Sequence, residues 1–333
     1  MGDNHFSRLL DILSGSVGDY MVEEYGGNHH LQVFAGNQMI RKLQQSDRED
    51  SAGVFVERRI LPSNFFIMLN DREGASSTLL HAIVELSGRY GGAKGSFNVR
   101  KPFVERRTET SISQLWVTRK HDDGNVATLE AGWMVYADLF GDNSVRFFCF
   151  TTPDNYASHL YNAHLRGPEQ NNIVFTQVSE RFFPGGVFRA TSDYDGRQRE
   201  VDLNIKKDLE TGNWHILFNG ETMGFWLRTN YHPDFDLGDE IQWGGEIVNK
   251  RTKGRHTSTQ MGNGHFGWKG LGKAAFIRHM EVYDHDLNPS DAAYPLTLYT
   301  TDSFCYDIND WGRTPMGRMI TFGGPGYNAF LCS

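Results

Sequence analysis

From Thr78 onward the chain is a succession of short apolar or alternating runs, each cut off by turn residues before it is long enough to make a stable helix. The runs fall at residues 81–86, 95–100, 111–118, 133–140, 145–150, 173–178, 201–206, 214–218, 224–227, 242–248, 274–279 and 296–299. Between them stand Arg89-Tyr90-Gly91-Gly92, Asp122-Asp123-Gly124-Asn125, Gly141-Asp142-Asn143, Pro184-Gly185-Gly186, Asp195-Gly196 and Glu210-Thr211-Gly212-Asn213. In such turns glycine supplies positive φ, and Asp or Asn hydrogen-bonds its own backbone. Alternation is clearest in Val201-Asp202-Leu203-Asn204-Ile205, whose period of two puts one apolar and one polar face on a strand. No strand-helix-strand rhythm is visible, so the fold class is all-β, with antiparallel strands in a sandwich or barrel.

The first 75 residues read differently. Met1 to Gly15 carry a short amphipathic pattern (Phe6, Leu9, Leu10, Ile12, Leu13) broken by Arg8 and Asp11, which is not the apolar core of a signal peptide. Either the protein is cytoplasmic or a leader lies outside this sequence. A polar stretch at 41–50 follows, and 53–68 supplies one or two strands. A leader, a propeptide or an extra strand pair all fit, and the division expected is a small N-terminal segment, 1–75, ahead of one domain, 76–333.

Composition narrows the partners. Of the 333 residues 39% are hydrophobic and 13% aromatic, enough apolar surface to offset chain entropy. A net charge of −8 gives no general attraction to nucleic acid or anionic lipid, and no apolar run is long enough to span a bilayer. Cys149, Cys305 and Cys332 show no CxxC spacing, which argues against a structural zinc held by cysteine. His256 and His265 stand nine apart with no carboxylate between them, a poor metal spacing, and their stretch reads as a polar loop satisfying its own backbone. No serine-nucleophile, phosphate-loop or dinucleotide motif is present, and neither a metal nor a cofactor is expected.

Two carboxylates stand out. Glu130-Ala131-Gly132-Trp133 and Gln242-Trp243-Gly244-Gly245-Glu246 each set a glutamate among small residues and a tryptophan, where desolvation raises a carboxyl pKa. Each alone is equally a surface glutamate in a turn. Together they suggest a pair with unequal proton affinities, as acid and base work at one bond requires. Gln114, in Ser113-Gln114-Leu115-Trp116, is either an amide donor to an oxyanion or a strand-edge glutamine bonded to backbone.

Taken in order, these segments resemble the neprosin family. Tyr90-Gly91-Gly92-Ala93-Lys94-Gly95-Ser96-Phe97, Ser113-Gln114-Leu115-Trp116-Val117, Leu129-Glu130-Ala131-Gly132-Trp133 with Leu139-Phe140-Gly141-Asp142-Asn143, Trp243-Gly244-Gly245-Glu246-Ile247-Val248, the stretch from His256 to Phe266, and Phe322-Gly323-Gly324-Pro325-Gly326 are collinear with that family's motifs over about 76–333. The resemblance implies an antiparallel β-sandwich of two packed, curved sheets. It implies a secreted, acid-active glutamic endopeptidase that cuts proline-rich proteins or peptides next to proline, and a monomer without a cofactor is expected. Glu130 and Glu246 would be the catalytic pair, with Gln114 as oxyanion donor. Where the family reads Glu-Trp-Gly-Gly-Glu this chain has Gln242 at the first position. Trp116, Trp133 and Trp243 would offer a flat wall to a proline ring, or else pack in the core. The resemblance also implies a Cys305–Cys332 disulfide, while Leu160 and Leu165 stand where a second pair would be, leaving Cys149 as a buried thiol. The expected chemistry is direct attack by water, with the choice of base open. The alternatives are a glycoside hydrolase, which also uses two carboxyls, and a noncatalytic carbohydrate- or peptide-binding sandwich.

Overall fold

The computed structural model describes residues 77–162, 173–251, 255–292, 296–330 and 332. The expected N-terminal segment, its strands at 53–68 and Leu165 lie outside the described residues. Strands are numbered in chain order. One sheet of seven strands runs β14 (Thr297–Thr300), β1 (Ser77–Tyr90), β11 (Gly238–Lys250), β3 (Thr110–Lys120), β4 (Val126–Val135), β5 (Arg146–Thr152) and β6 (Leu160–Tyr161). The second, of nine, runs β15 (Asp307–Thr314), β16 (Gly317–Gly323), β12 (Ala275–Tyr283), β2 (Gly92–Asn98), β8 (Glu200–Lys207), β9 (Trp214–Phe218), β10 (Glu221–Trp226) and β7 (Phe175–Gln177), with β13 (Pro289–Asp291) paired to β12. Every ladder among the described residues is antiparallel. The two sheets pack face to face as a sandwich that is not closed into a barrel.

Alternation decides what fills the space between the sheets. Leu115 and Val117 from β3, Leu129, Ala131, Trp133 and Val135 from β4, and Ile241, Trp243 and Ile247 from β11 point inward, against Phe97, Leu203, Ile205, Phe218 and Ile277 of the other sheet. Fully burying a side chain of this size stabilises by about 1.5–3 kcal/mol. Two indoles also tie the layers together, since Trp133 Nε1 donates to the Asn98 carbonyl at 3.0 Å and Trp243 Nε1 to that of Lys94 at 3.2 Å. Both carbonyls belong to β2. Trp133 and Trp243 are therefore buried core residues and not an aromatic wall for substrate, which corrects the sequence reading. Each stands three residues from its glutamate, and three steps along a strand reverse the face.

Cys305 and Cys332, both buried, are joined by the expected disulfide across 27 residues. A loop of that length stabilises by roughly 3 kcal/mol in the chain-entropy account. Cys149 is a buried thiol. The run expected at 133–140 divides: β4 stops at Val135, and Ala137–Phe140 form a helical turn closed by Gly141 at φ 81°. Its Leu139 and Phe140 join Ile112, Met134, Tyr136 and Phe148 in a small apolar cluster on the outer face of the seven-stranded sheet. Among the described residues no helix is long and apolar enough to cross a membrane.

Candidate active site

On that outer face the register lines up residues of four strands. Glu130 of β4 is the cross-strand partner of Trp116 on β3, which partners Gln242 on β11, which partners Glu85 on β1. One row along, Gln114 sits between Gly132 and Gly244. In the next row Glu246 sits between Ile112 and His81. Glu130, Gln114 and Glu246 thus share a face because their spacings from these partners are even, although the two glutamates are 116 positions apart.

The two glycines beside Gln114 are required by close packing of the backbone. A Cβ at 132 would lie 2.0 Å from the Ser113 carbonyl oxygen, and one at 244, where φ is +152°, would lie 2.3 Å from that of Ala82. They also leave Gln114 as the one of these three positions with a side chain in the row between the two glutamates.

Glu130 lies in the middle of β4, buried, and not in a surface turn. Thr128 Oγ1 donates to its Oε1 at 2.8 Å. In the amide orientation that satisfies both groups, Gln114 Nε2 donates to Glu130 Oε2 at 3.3 Å while Trp116 Nε1 donates to Gln114 Oε1 at 3.2 Å. The Tyr156 hydroxyl also hydrogen-bonds this carboxyl. Burial, reinforced by the negative charge of Glu246, outweighs these bonds and pushes the Glu130 pKa up to about 8. The neutral carboxylic acid is the stable form through acid and neutral pH.

Glu246 meets a different partner. His81 Nε2 lies 3.1 Å from its Oε2, with 26% of the histidine and 15% of the glutamate side chain exposed. Burial works against charge on His81, but the hydrogen bond and charge of Glu246, aided by Glu85, hold its pKa above the ordinary value. At acid pH His81 therefore carries its proton beside Glu246. The His81 ring stands 6.5 Å from Trp116 and 6.4 Å from Tyr299, centroid to centroid. Of the three tryptophans expected at the site, Trp116 alone faces it.

Sequence reasoning missed His81 and Tyr156. His81 occupies an outward position in the alternation of Leu80, Ala82, Val84 and Leu86, the one signal that marks it as polar-facing. Tyr156 lies in the connection after β5, where it and Asn155 both hold positive φ, 65° and 58°. Such backbone costs about 1–3 kcal/mol per residue and persists where surroundings enforce it. Here Asn155 N–H donates to the Val126 carbonyl at 2.7 Å and Tyr156 N–H to Thr152 Oγ1 at 2.9 Å. The ring stacks on Phe150 at 6.1 Å. The charge of Glu130, then burial, push the Tyr156 hydroxyl pKa upward, so it stays a proton donor.

Gln242 has a physical reason to be an amide. Its Nε2 donates to Glu85 Oε1 at 2.9 Å and to Glu240 Oε1 at 2.8 Å. A glutamate there would set three carboxylates against one another. His256, in contrast, is fully buried, its Nδ1 on the Thr257 carbonyl at 2.7 Å and near the Asn249 amide, as a self-satisfying loop requires.

Two solved structures bear a faint likeness to the chain. One is Scytalido-glutamic peptidase with a peptide-based transition state analog, 8% identical, TM-score 0.37, covering 75% of this chain and 100% of that one. The other is SCP-B, a member of the eqolisin family of peptidases, in a complex with the tripeptide Ala-Ile-His, again 8% identical with a TM-score of 0.37, covering 76% of this chain and 100% of that one. At such scores neither bears on the arrangement described above. The sequence profile of the Neprosin family matches residues 107–325, a span that holds Gln114, Trp116, Glu130 and Glu246. With more than half of the sequence inside that match, the chain belongs to the Neprosin family of glutamic-type peptidases.

Proposed function

We propose that the protein is a secreted, acid-active endopeptidase that cleaves next to proline, with Glu130 and Glu246 as its catalytic pair. The observation that carries the reading is the unequal environment of two glutamates on one sheet face: Glu130 is buried and held neutral, while Glu246 is hydrogen-bonded to His81. Glu246 is then the base and Glu130 the acid. A water between them gives one proton to Glu246 as its oxygen attacks the scissile carbonyl carbon, and the Glu130 carboxyl hydrogen-bonds the carbonyl oxygen as charge develops there. As the C–N bond breaks, the nitrogen leaves with one proton from the pair. One proton stays behind, so the site is restored with a single water consumed.

Gln114 has a second N–H beyond the one on Glu130, and that donor serves the oxyanion. Tyr156 and Thr128 fix the acid carboxyl. The aromatic strip of Trp116, His81 and Tyr299 suits a flat, apolar pyrrolidine ring beside Glu246. Tyr299 is 46% exposed, so this edge of the strip is open to a ligand. Activity is highest in acid because both Glu130 and His81 then carry their protons, and falls as Glu130 ionises near 8.

The test is direct. The protein is incubated with a proline-rich protein from acid to alkaline pH, and cut sites are read by mass spectrometry. Cleavage concentrated at prolyl bonds and strongest in acid is expected. Cleavage without regard to proline would refute the specificity. An intact substrate would refute the reading altogether and favour a glycoside hydrolase or a binding module.

A further inference from the structure

Away from the glutamate pair, two histidines and an aspartate converge at one end of the seven-stranded sheet. His121 follows the last residue of β3, and His232 and Asp234 lie in the connection between β10 and β11. His232 Nδ1 is 2.7 Å from Asp234 Oδ1, and His121 Nδ1 is 2.8 Å from the same oxygen. The two rings meet edge to face with centroids 5.5 Å apart. The His121 side chain is only 7% exposed, yet neither of its ring nitrogens makes a hydrogen bond, so its approach to Asp234 is off the line of one. A buried nitrogen left so is costly unless something else uses its lone pair.

We propose that His121, His232 and Asp234 bind one divalent transition-metal ion of the zinc class, through one nitrogen of each imidazole, one carboxylate oxygen and water. The donor set is that of an open four-coordinate zinc site, and one ligand atom from each residue lies within 4.8 Å of the others. The ligands are presented by ordered backbone. His121 N–H donates to the Asn125 carbonyl at 2.8 Å in the β3–β4 turn, and Phe235, one residue after Asp234, is buried with its N–H on the His232 carbonyl at 2.9 Å. The second oxygen of Asp234 accepts from Arg119 Nη2 at 3.3 Å, an outer partner of the kind that orients a ligating carboxylate. Arg119 is also paired with Asp239 at 3.1 Å, and Asp123 adds a further negative charge near His121, so the cluster is not cationic overall. The other grouping of this kind among the described residues, His256 with Cys305 and Cys332, offers no thiolate because its cysteines form the disulfide. A bound ion would brace the β3–β4 hairpin, which carries Gln114, Trp116 and Glu130, against the entry to β11, which carries Glu246.

Zinc chloride is titrated into the full chain near pH 7.5 by calorimetry, with cobalt chloride as a spectroscopic probe and melting temperature as a second readout. One equivalent bound, tetrahedral cobalt absorption and a raised melting temperature are expected. His232→Ala and Asp234→Asn, both at partly exposed positions, should each weaken binding by at least about tenfold while leaving the metal-free melting curve near that of the unaltered chain. Absence of uptake, or uptake that both variants retain, would overturn the proposal and leave the three residues as an ion-paired cluster.

Discussion

Glu130→Gln is expected to lower peptide cleavage by about 10²–10⁴-fold or more and, in the same molecule, to raise stability at neutral pH. The second effect follows from the sign of the pKa shift. The folded carboxyl sits at about 8 against an ordinary value of 4.5, so below 4.5 it is protonated in both states and costs nothing. Between those values the unfolded chain releases the proton and the folded one keeps it, which favours unfolding by about 1.4 kcal/mol for each pH unit crossed. The amide of the variant would keep the shape and the hydrogen-bonding capacity of the neutral acid without that proton. Melting curves of the two proteins should coincide near pH 4 and separate as pH rises, with the variant higher by on the order of 10 °C at pH 7.5. Parallel curves at every pH would mean that Glu130 is an ordinary carboxylate. A variant that keeps cleaving would remove it from the mechanism.

Glu246→Gln is expected to cost turnover on the same scale, about 10²–10⁴-fold, with the opposite signature in stability. His81 has a raised pKa because Glu246, helped by Glu85, overcomes its burial. A raised histidine contributes stability that is fully present below its unfolded value of 6.5 and is lost as pH rises through its folded value. Removing the charge of Glu246 leaves only the weaker pull of Glu85 against burial of His81, so the variant should melt lower than the parent in acid and approach it in alkali. The two substitutions are isosteric and lie on one sheet face, yet their stability differences should open at opposite ends of the pH range. Equal losses at all pH values would show that His81 and Glu246 do not pair in solution.

What the sequence discloses follows the range of each interaction. Period-two runs and glycine turns are local, and the expected strands at 81–86, 111–118, 201–206, 214–218 and 242–248 fall inside observed ones, while the other seven overlap observed strands with shifted ends. The hairpin of β15 and β16 is absent from the expected runs, because Asp307, Asn309 and Asp310 give its first strand a composition that reads as loop. Like surroundings suggest the pairing of Glu130 with Glu246, but their common face depends on the register of three strands, which no short window contains. Nearness in sequence draws Trp133 and Trp243 to the site, and parity along the strand excludes them from it. His81 is hidden because its partner is 165 positions away, and Tyr156 because its place over Glu130 depends on a loop conformation.

The central claim is that one of two carboxyls on a single sheet face is neutral because it is buried and because the other is charged. It is tested most directly by titrating the Glu130 side-chain carboxyl by ¹³C NMR in the unaltered protein and in Glu246→Gln, with Glu130→Gln used to assign the signal. A midpoint near 8 that moves down when the charge at 246 is removed is the expected result. A midpoint near 4.5, or one that Glu246→Gln leaves in place, would contradict it.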